Sequence, residues 1–381
     1  MALKSNVNKI FAINAIRWFM LLMPIIVLFF EHNGLNLTQI MILPAIYSFT
    51  VAVLEIPSGF FSDTFGRKKS IILSTIFYSS GYLLFSFSSD YNIFIIAEIL
   101  LGIGGSLISG TDSAMLYDTL IELNDSNEYS KIEGKSYAIG NFSEAIAAIL
   151  SSFLVAISIY LPVYLHTLLL LFSIPIACSL VEPKQNYKLS KSFSSIRLVF
   201  QQIFNGQNKL MWLIIYSSSM GLATLSIAWL VQPFLIDINF PIVYYGLLWA
   251  ALNFVSALTA YFSHKIKEIN IFYTISIILS IVLFLVSFNI SFYGIILFFV
   301  IYFIRGIITP YLKNHINILT SSEMRATVLS IRSLIIRLSF AMIIPILGYI
   351  AENYHLKFVF WILSAIVLIL SLISSYKLSR D

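Results

Sequence analysis

Eight acidic and arginine side chains stand inside stretches of the sequence that are otherwise apolar. They are Arg17, Glu55, Glu98, Asp112, Glu144, Arg305, Arg332 and Arg337. An ionised group inside a bilayer costs about 2.5–3.5 kcal/mol on insertion scales, so such groups are candidates for function by default. Carboxylates in these places can bind and release protons. Arginines can hold an anionic group through charge-assisted hydrogen bonds.

A structural explanation of the same charges stays open beside the functional one. Long cationic side chains reach the membrane surface from within a span, and opposite charges pair between helices. Arg17 and Asp112 form a plausible structural pair of this kind. Arg305 and Arg337 have no acidic residue inside the spans of their own half of the sequence, which favours a functional interpretation for both.

The apolar stretches that carry these charges are predicted to be membrane-spanning helices. Only 11% of the 381 residues are charged and 59% are hydrophobic, whereas a soluble domain carries about 25% charged residues. A span needs about 20 apolar residues, and counting such runs predicts an all-α polytopic membrane protein with twelve spans. They cover residues 10–30, 39–62, 70–89, 92–117, 136–158, 161–181, 209–235, 243–263, 270–289, 292–313, 326–349 and 356–376.

Two connectors between the predicted spans are long. One is the polar segment 118–135, and the other divides the chain into two halves of six spans. The predicted domains are an N-terminal half (1–182), a cytoplasmic linker (183–208) and a C-terminal half (209–381). Apolar residues near helical spacing in the linker are compatible either with an amphipathic helix on the membrane surface or with a disordered segment.

Lysine and arginine predict the orientation of the chain. They concentrate in the termini and in alternate connectors, whereas the opposite side has only Lys357, at the start of the last span. Cytoplasmic loops carry the excess of positive charge, so both termini are expected in the cytoplasm and the chain in the cytoplasmic membrane. The apolar run after Lys9 is too long for the core of a signal peptide and is interpreted as the first span.

Helix geometry then predicts the depth of the intramembrane charges. With a rise of about 1.5 Å per residue, Arg17, Glu55, Asp112 and Glu144 lie roughly 9–13 Å from the cytoplasmic ends of their helices. The N-terminal half thus places three carboxylates and one arginine in one layer. The C-terminal half places its three arginines near that layer, and Glu98 lies closer to the outer face.

A conspicuous motif follows Glu55, between the second and third predicted spans. It consists of Gly59, Asp63, Gly66, Arg67, Lys68 and Lys69, in the spacing G-x-x-x-D-x-x-G-R-K-K. Gly59 is expected to allow close approach of another helix, and Asp63 to end its helix and face the N-terminus of a neighbouring one. Gly66 permits a sharp reversal, and the three cations keep the loop cytoplasmic.

This motif resembles the loop signature between the second and third helices of the major facilitator superfamily. The resemblance implies two six-helix pseudo-repeats and a central cavity lined by spans 1, 4, 7 and 10. It also implies that the motif controls conformational switching. The candidate proton-coupling residues are Glu55, Asp112 and Glu144. The candidate substrate-binding residues are Arg17, Trp229, Gln232, Asn253, Arg305, Arg332 and Arg337.

The fourth and fifth spans depart from the superfamily's proton-coupled drug exporters. Those exporters usually carry an arginine four residues before the first glycine of span 4, and here that residue is Glu98. They also carry a Gly-Pro-rich segment in span 5, and here residues 138–153 contain no proline. Both departures argue against drug/proton antiport and leave the transporter interpretation intact. Within span 4, Gly102, Ser106 and Gly110 predict a small-residue stripe for close helix packing.

The sequence therefore predicts a proton-coupled secondary transporter that exports a small organic solute with an anionic group, such as a metabolite or a siderophore-like compound. A multidrug/proton antiporter and an uncoupled facilitator are the alternatives. An enzyme is not expected, because Cys178 is the only cysteine and the five histidines are scattered. No cofactor, metal or nucleic acid is expected. The expected partners are the substrate, protons and the lipid bilayer, with the protein acting as a monomer.

Overall fold

The computed structural model describes residues 3–184, 208–263, 271–320 and 325–380. Every regular element in these ranges is helical, and the all-α fold class is confirmed. The α-helices are α1 (Ser5–Trp18), α2 (Ile26–His32), α3 (Leu37–Phe65), α4 (Arg67–Phe87), α5 (Tyr91–Ile108), α6 (Thr111–Glu122), α7 (Tyr129–Ile157), α8 (Leu161–Cys178), α9 (Asn208–Asp237), α10 (Tyr245–Phe262), α11 (Ile271–Phe288), α12 (Ile295–Ile318), α13 (Arg325–Asn353) and α14 (Leu356–Arg380).

The helices agree with the predicted spans in number and place. Among the described residues, 11 helical segments are long and apolar enough to cross a membrane, and Phe272–Phe288 is a shorter apolar helix at the ninth predicted span. The polar connector 118–135 is mostly helical, because α6 continues to Glu122 and α7 begins at Tyr129. Helical residues thus extend into this predicted connector from both sides.

Two of the predicted spans are broken rather than continuous. Span 1 is interrupted after α1 and resumes through a short 3₁₀ turn, Met23–Ile25, before α2. Span 4 is interrupted between α5 and α6 at Gly110, whose φ of 73° is left-handed. Glycine adopts this conformation at little cost, so the residue type at this position allows the break.

The described residues pack into two compact units. The first comprises the described parts of Met1–Leu35, Ile46–Ser190 and Ile242–Ala250. The second comprises those of Asn36–Ala45, Lys191–Pro241 and Ala251–Asp381.

Glycines set the helix packing of the first unit. A Cβ on Gly102 would stand 2.6 Å from Cβ of Thr50, and one on Gly81 would stand 2.7 Å from Cγ of Leu101. Such distances are too short for a real side chain, so α5 contacts α3 and α4 almost backbone to backbone. Small residues give this close contact between helices in lipid, where apolar burial supplies no driving force.

Two other glycines have open space around them. A Cβ on Gly59 would meet nothing within 4 Å in its own unit, and the close approach of another helix at Gly59 stays a prediction. Gly110 likewise has nothing within 4 Å and serves the break between α5 and α6. The small-residue stripe of span 4 is therefore carried by Gly102 and Ser106, without Gly110.

The second unit is built around a buried aromatic cluster. The ring of Phe234 on α9 lies 4.8 Å from that of Phe298 on α12 and 6.4 Å from that of Phe360 on α14. The first turns of α3 also belong to this unit, where a Cβ on Gly348 would stand 2.7 Å from Cβ of Met41. The Thr38 backbone N–H donates to Oε2 of Glu352 at 2.9 Å, which caps the start of α3.

The amphipathic helix predicted in the linker, and its alternative of a disordered segment, fall on residues 185–207, which lie outside the described residues.

Candidate functional site

The two broken spans of the first unit bring Arg17 and Asp112 together. Arg17 lies in the last turn of α1 and Asp112 in the first turn of α6. Nη2 of Arg17 is 3.5 Å from Oδ2 of Asp112, and the side chains are only 20% and 14% exposed. A cation at a helix C-terminus and an anion at a helix N-terminus are each favoured by the helix dipole. Because the spans are broken there, each charge is stabilised by the end of its own helix in addition to its partner.

Asp112 is also connected to an acidic residue from the following helix. Its Oδ1 accepts a hydrogen bond from the Ser113 backbone N–H at 2.9 Å, and the Ser113 hydroxyl donates to Oε1 of Glu133 at 2.5 Å. Glu133 on α7 was not among the predicted site residues, because it lies in the polar connector 118–135, outside the predicted spans. The absence of proline between Tyr129 and the fifth predicted span was the sequence signal that α7 includes Glu133.

A small cavity lies beside Arg17. It is lined by Ile13, Arg17, Ser74, Thr75, Tyr78, Ile108, Leu170 and Ser173, and has room for about one water molecule. The Nε of Arg17 is buried and has no hydrogen-bond partner among the described residues. A buried N–H donor without an acceptor is energetically costly unless water or a ligand accepts its hydrogen bond. The cavity is therefore suited to a water molecule or to a polar group of a ligand.

The other two predicted proton-coupling residues lie apart from this pair. Glu144 on α7 accepts a hydrogen bond from Nε1 of Trp249 on α10 at 3.2 Å. There, a Cβ on Gly246 would stand 1.9 Å from the carbonyl oxygen of Ala148, so α7 and α10 touch through their backbones. Glu55 is half-buried on α3. The first unit thus distributes its predicted coupling carboxylates over three places.

Arg332 occupies a polar cavity in the second unit. Its Nε donates a hydrogen bond to the hydroxyl of Ser217 on α9. The cavity is lined by Ser217, Met220, Gly221, Thr224, Ile308, Thr309, Leu312 and Arg332. Hydroxyl groups and a guanidinium with no lining carboxylate make a site suited to an anion.

The two other arginines of the second unit have different surroundings. Cζ of Arg305 lies 5.3 Å from the centre of the Tyr302 ring, a distance at which a cation and an aromatic face attract each other. Arg337 is half-buried on α13. Among the described residues of this unit, no carboxylate forms an ion pair with Arg305, Arg332 or Arg337.

The uncharged residues of the predicted substrate site are mostly buried. Trp229 is 8% exposed and Gln232 is 1% exposed on α9, whereas Asn253 on α10 is half-buried. Trp229 and Gln232 present little surface to a solute in this structure. Their role in binding stays a prediction.

The loop motif is held by carboxylates from elsewhere in the first unit. Gly66 alone separates α3 from α4, with a left-handed φ of 107°. Oε1 of Glu182 accepts from the Arg67 backbone N–H at 2.7 Å, and Oε2 accepts from the Lys68 backbone N–H at 2.7 Å. A carboxylate therefore neutralises the positive end of α4.

Arg67 links this loop to two further acidic side chains. Its guanidinium contacts Asp63, one turn before it, and its Nε lies 3.4 Å from Oδ2 of Asp118 on α6. Lys69 is exposed, and Lys68 is half-buried. Asp63 is thus engaged by Arg67, and its expected contact with the N-terminus of another helix stays a prediction. Asp118 and Glu182 were missed because nothing in their local sequence marks them.

Comparison with known proteins identifies the group to which this architecture is similar. The sequence model described as "Major Facilitator Superfamily" matches residues 10–320. The chain is 27% identical over 257 residues to the uncharacterized MFS-type transporter YxaM of Bacillus subtilis (strain 168). That match covers 64% of this chain and 63% of the relative, so the chain spans less than two thirds of the relative's length.

Solved structures share the fold at low sequence identity. The crystal structure of a mutant of the nucleoside transporter NupG has a TM-score of 0.81 and 12% identity, covering 98% of this chain and 99% of that one. The crystal structure of a D-xylose-proton symporter has a TM-score of 0.73 and 12% identity, covering 98% and 96%. At this identity the similarity establishes the fold alone.

Proposed function

Because the chain belongs to the major facilitator superfamily, whose members are membrane transporters and not enzymes, we propose that it is a proton-coupled secondary transporter. The proposed substrate is a small organic solute with an anionic group, such as a metabolite or a siderophore-like compound, and the proposed direction is export. The proposed halves are residues 1–182 and 209–381, joined by the linker 183–208. Both termini are proposed to lie in the cytoplasm, and the protein is proposed to act as a monomer.

The observation that carries the anionic substrate is the Arg332 cavity. Three arginines lie in the second unit without a carboxylate partner among its described residues. A guanidinium in a membrane is costly unless water or an anion meets it. A carboxylate or phosphate group on the substrate would supply two parallel hydrogen bonds to the planar guanidinium. Arg332 is the proposed anchor, because the hydroxyl of Ser217 orients it towards the cavity.

Proton coupling is proposed to act through the carboxylates of the first unit. Asp112 is held by Arg17 while it is charged. Protonation of Asp112 would remove its charge and with it the attraction to Arg17. Binding of one proton would therefore weaken the ion pair that links α1 to α6. Glu144 and Glu55 are proposed as further coupling residues. The loop motif from Gly59 to Lys69 is proposed to control the switch between conformations.

Calorimetric binding of organic anions tests the proposed substrate class. Organic carboxylates and phosphates are titrated into purified wild type, Arg332→Lys, Arg305→Lys and Arg337→Ala. We expect Arg332→Lys to bind an accepted anion at least about tenfold more weakly, because losing hydrogen bonds to a charged group costs about 1.5–3 kcal/mol. Arg305→Lys is also expected to bind more weakly, since lysine lacks the planar fork.

Arg325→Lys is the matched control. Arg325 is an exposed arginine at the start of the same helix as Arg332, and its substitution should leave the affinity unchanged. Equal affinities in wild type and all three site variants, or binding of cations alone, would remove the anion site. A range of neutral or cationic drugs would favour the multidrug antiporter instead.

A further inference from the structure

A second polar cluster is buried in the first unit, away from the residues used above. Its centre is Glu98 on α5, which is 4% exposed. No lysine or arginine forms an ion pair with Glu98 among the described residues. Removing a charged carboxylate from water costs several kcal/mol, and a buried carboxyl group without a cationic partner takes up a proton instead. The surroundings of Glu98 therefore favour a carboxylic acid.

Close helix packing places a tyrosine against this carboxyl group. A Cβ on Gly81 of α4 would stand 3.0 Å from the carbonyl oxygen of Ala97 on α5. Tyr82 follows Gly81 and Glu98 follows Ala97, so the two polar side chains leave adjacent points of the two helices. The carboxyl group and the phenol interact electrostatically. Tyr82 is itself only 9% exposed.

Two further tyrosines extend the cluster towards Arg17. The hydroxyl oxygens of Tyr47 and Tyr78 lie 2.9 and 3.2 Å from the point where a Cβ of Gly105 would stand. The glycine therefore leaves room for both hydroxyls, which hydrogen-bond to each other, and Tyr47 also interacts with Tyr82. Tyr78 lines the same small cavity as Arg17. Tyr82, Tyr47 and Tyr78 thus lie between Glu98 and the cavity, and a hydrogen bond joins the last two.

A histidine completes the surroundings of Tyr82. His166 on α8 is 1% exposed, and its ring centre lies 4.3 Å from that of Tyr82. The carbonyl of Ile16 lies nearby, but neither ring nitrogen has a hydrogen bond of ordinary geometry among the described residues. The groups that face the cluster are therefore Tyr47, Tyr78, Tyr82 and His166. Arg17 lines the cavity beside Tyr78 and is paired with Asp112.

We infer that Glu98 is a proton-binding site, and that the hydroxyls of Tyr82, Tyr47 and Tyr78 connect it to the Arg17–Asp112 pair. Transfer requires the hydrogen bonds from Glu98 to Tyr82 and from Tyr82 to Tyr47 to form. Each hydroxyl then accepts one proton and gives up its own, and each tyrosine ends neutral. Glu98 ends as a carboxylate and Asp112 as a carboxylic acid. The cavity, with room for about one water molecule, is lined by Tyr78 and by Arg17, the ion-pair partner of Asp112. A water molecule there would carry the proton from Tyr78 to Asp112. The transfer part of this inference rests on the proposed proton coupling.

Infrared difference spectroscopy tests the site without any transport measurement. Purified wild type is titrated from acid to alkaline pH, and the C=O stretching band of protonated carboxyl groups is followed. We expect a carboxylic-acid band that persists at neutral pH and is lost in Glu98→Gln. Glu128→Gln is the matched control, because Glu128 is an exposed carboxylate paired with Lys131, and its substitution should leave the band in place. A band that survives in Glu98→Gln overturns the proton site.

Tyr82→Phe tests the connection separately from the site. This variant should keep the carboxylic-acid band, since Glu98 stays buried, but should lose accumulation driven by an imposed pH gradient while retaining substrate exchange. Gradient-driven accumulation at the wild-type level would overturn the hydroxyl connection. If wild type itself ignores the gradient while Glu98→Gln still lacks the band, the proposed coupling fails and the proton site at Glu98 stands.

Discussion

At the scale of single residues, the Arg17–Asp112 pair shows how a membrane protein tolerates buried charge. Arg17 lies at the negative C-terminal end of α1, and Asp112 lies at the positive N-terminal end of α6. The two side chains also form an ion pair with each other. An exposed ion pair contributes about 0.2–1 kcal/mol, whereas breaking a buried pair costs about 3–5 kcal/mol. The exposed fractions of 20% and 14% place this pair between these limits.

A double-mutant cycle measures the coupling between the two residues. Arg17→Met and Asp112→Asn are each expected to lower the free energy of unfolding by more than about 1 kcal/mol, because each leaves an unpaired charge. The double variant should be more stable, by about 0.5–3 kcal/mol, than the sum of the two single-variant effects predicts. Thermal or denaturant unfolding in detergent gives all four values. Strict additivity would show that the pair has no energetic coupling.

At the scale of elements, the loop between α3 and α4 depends on one backbone conformation. Gly66 has a φ of 107°, and a Cβ there would lie 3.0 Å from Oε2 of Glu182. The carboxylate that caps α4 thus occupies the space a side chain would need. Gly59, although part of the same motif, lies inside α3 with open space around it in its unit.

Alanine substitutions separate these two glycines. Gly66→Ala is expected to destabilise the protein by about 1–3 kcal/mol, the usual cost of a residue held in a sparsely populated conformation, and to displace Glu182. Gly59→Ala should be neutral or stabilising by up to about 1 kcal/mol, because alanine favours a helix interior more than glycine does. Melting temperatures compare the two variants. Equal destabilisation by both would contradict the assignment of strain to Gly66.

At the scale of the whole molecule, the proposed transport cycle requires that carboxylates of the first unit respond to protons. Asp112 has a cationic partner and Glu144 a tryptophan N–H as partner. The amide of asparagine or glutamine resembles the protonated acid in shape and cannot give up a proton at any accessible pH. A cycle that needs proton release would stop in such variants, whereas exchange of substrate for substrate needs no net proton movement.

Reconstituted vesicles with an imposed pH gradient test this requirement. Asp112→Asn and Glu144→Gln are each expected to abolish accumulation against a gradient and to spare exchange and downhill flux. A protonophore should have the same effect on wild type. Vesicles of both orientations also report the direction of transport. Accumulation by wild type that is indifferent to the gradient and to the protonophore would leave the uncoupled facilitator as the better proposal.

The sequence by itself determined the helical fold, the places of the spans and the loop motif. These features depend on local composition, because a run of about 20 apolar residues is long enough to cross a membrane whatever surrounds it. The reversal at Gly66 followed from the same local reasoning. The sequence also marked Arg17 and Asp112 as a plausible pair, although not the helix breaks that position them.

Only the tertiary structure decided which charges meet and which partners hold them. Arg17 and Asp112 are 95 residues apart in the chain, and Glu182 is 115 residues from Arg67. Contacts of that kind depend on how helices that are distant in sequence pack against one another. The glycines of α4 and α5 set part of this packing, and no local sequence pattern predicts the resulting distances between helices. For the same reason Glu133, Glu182 and the tyrosines around Glu98 became visible as partners only once the helices were assembled.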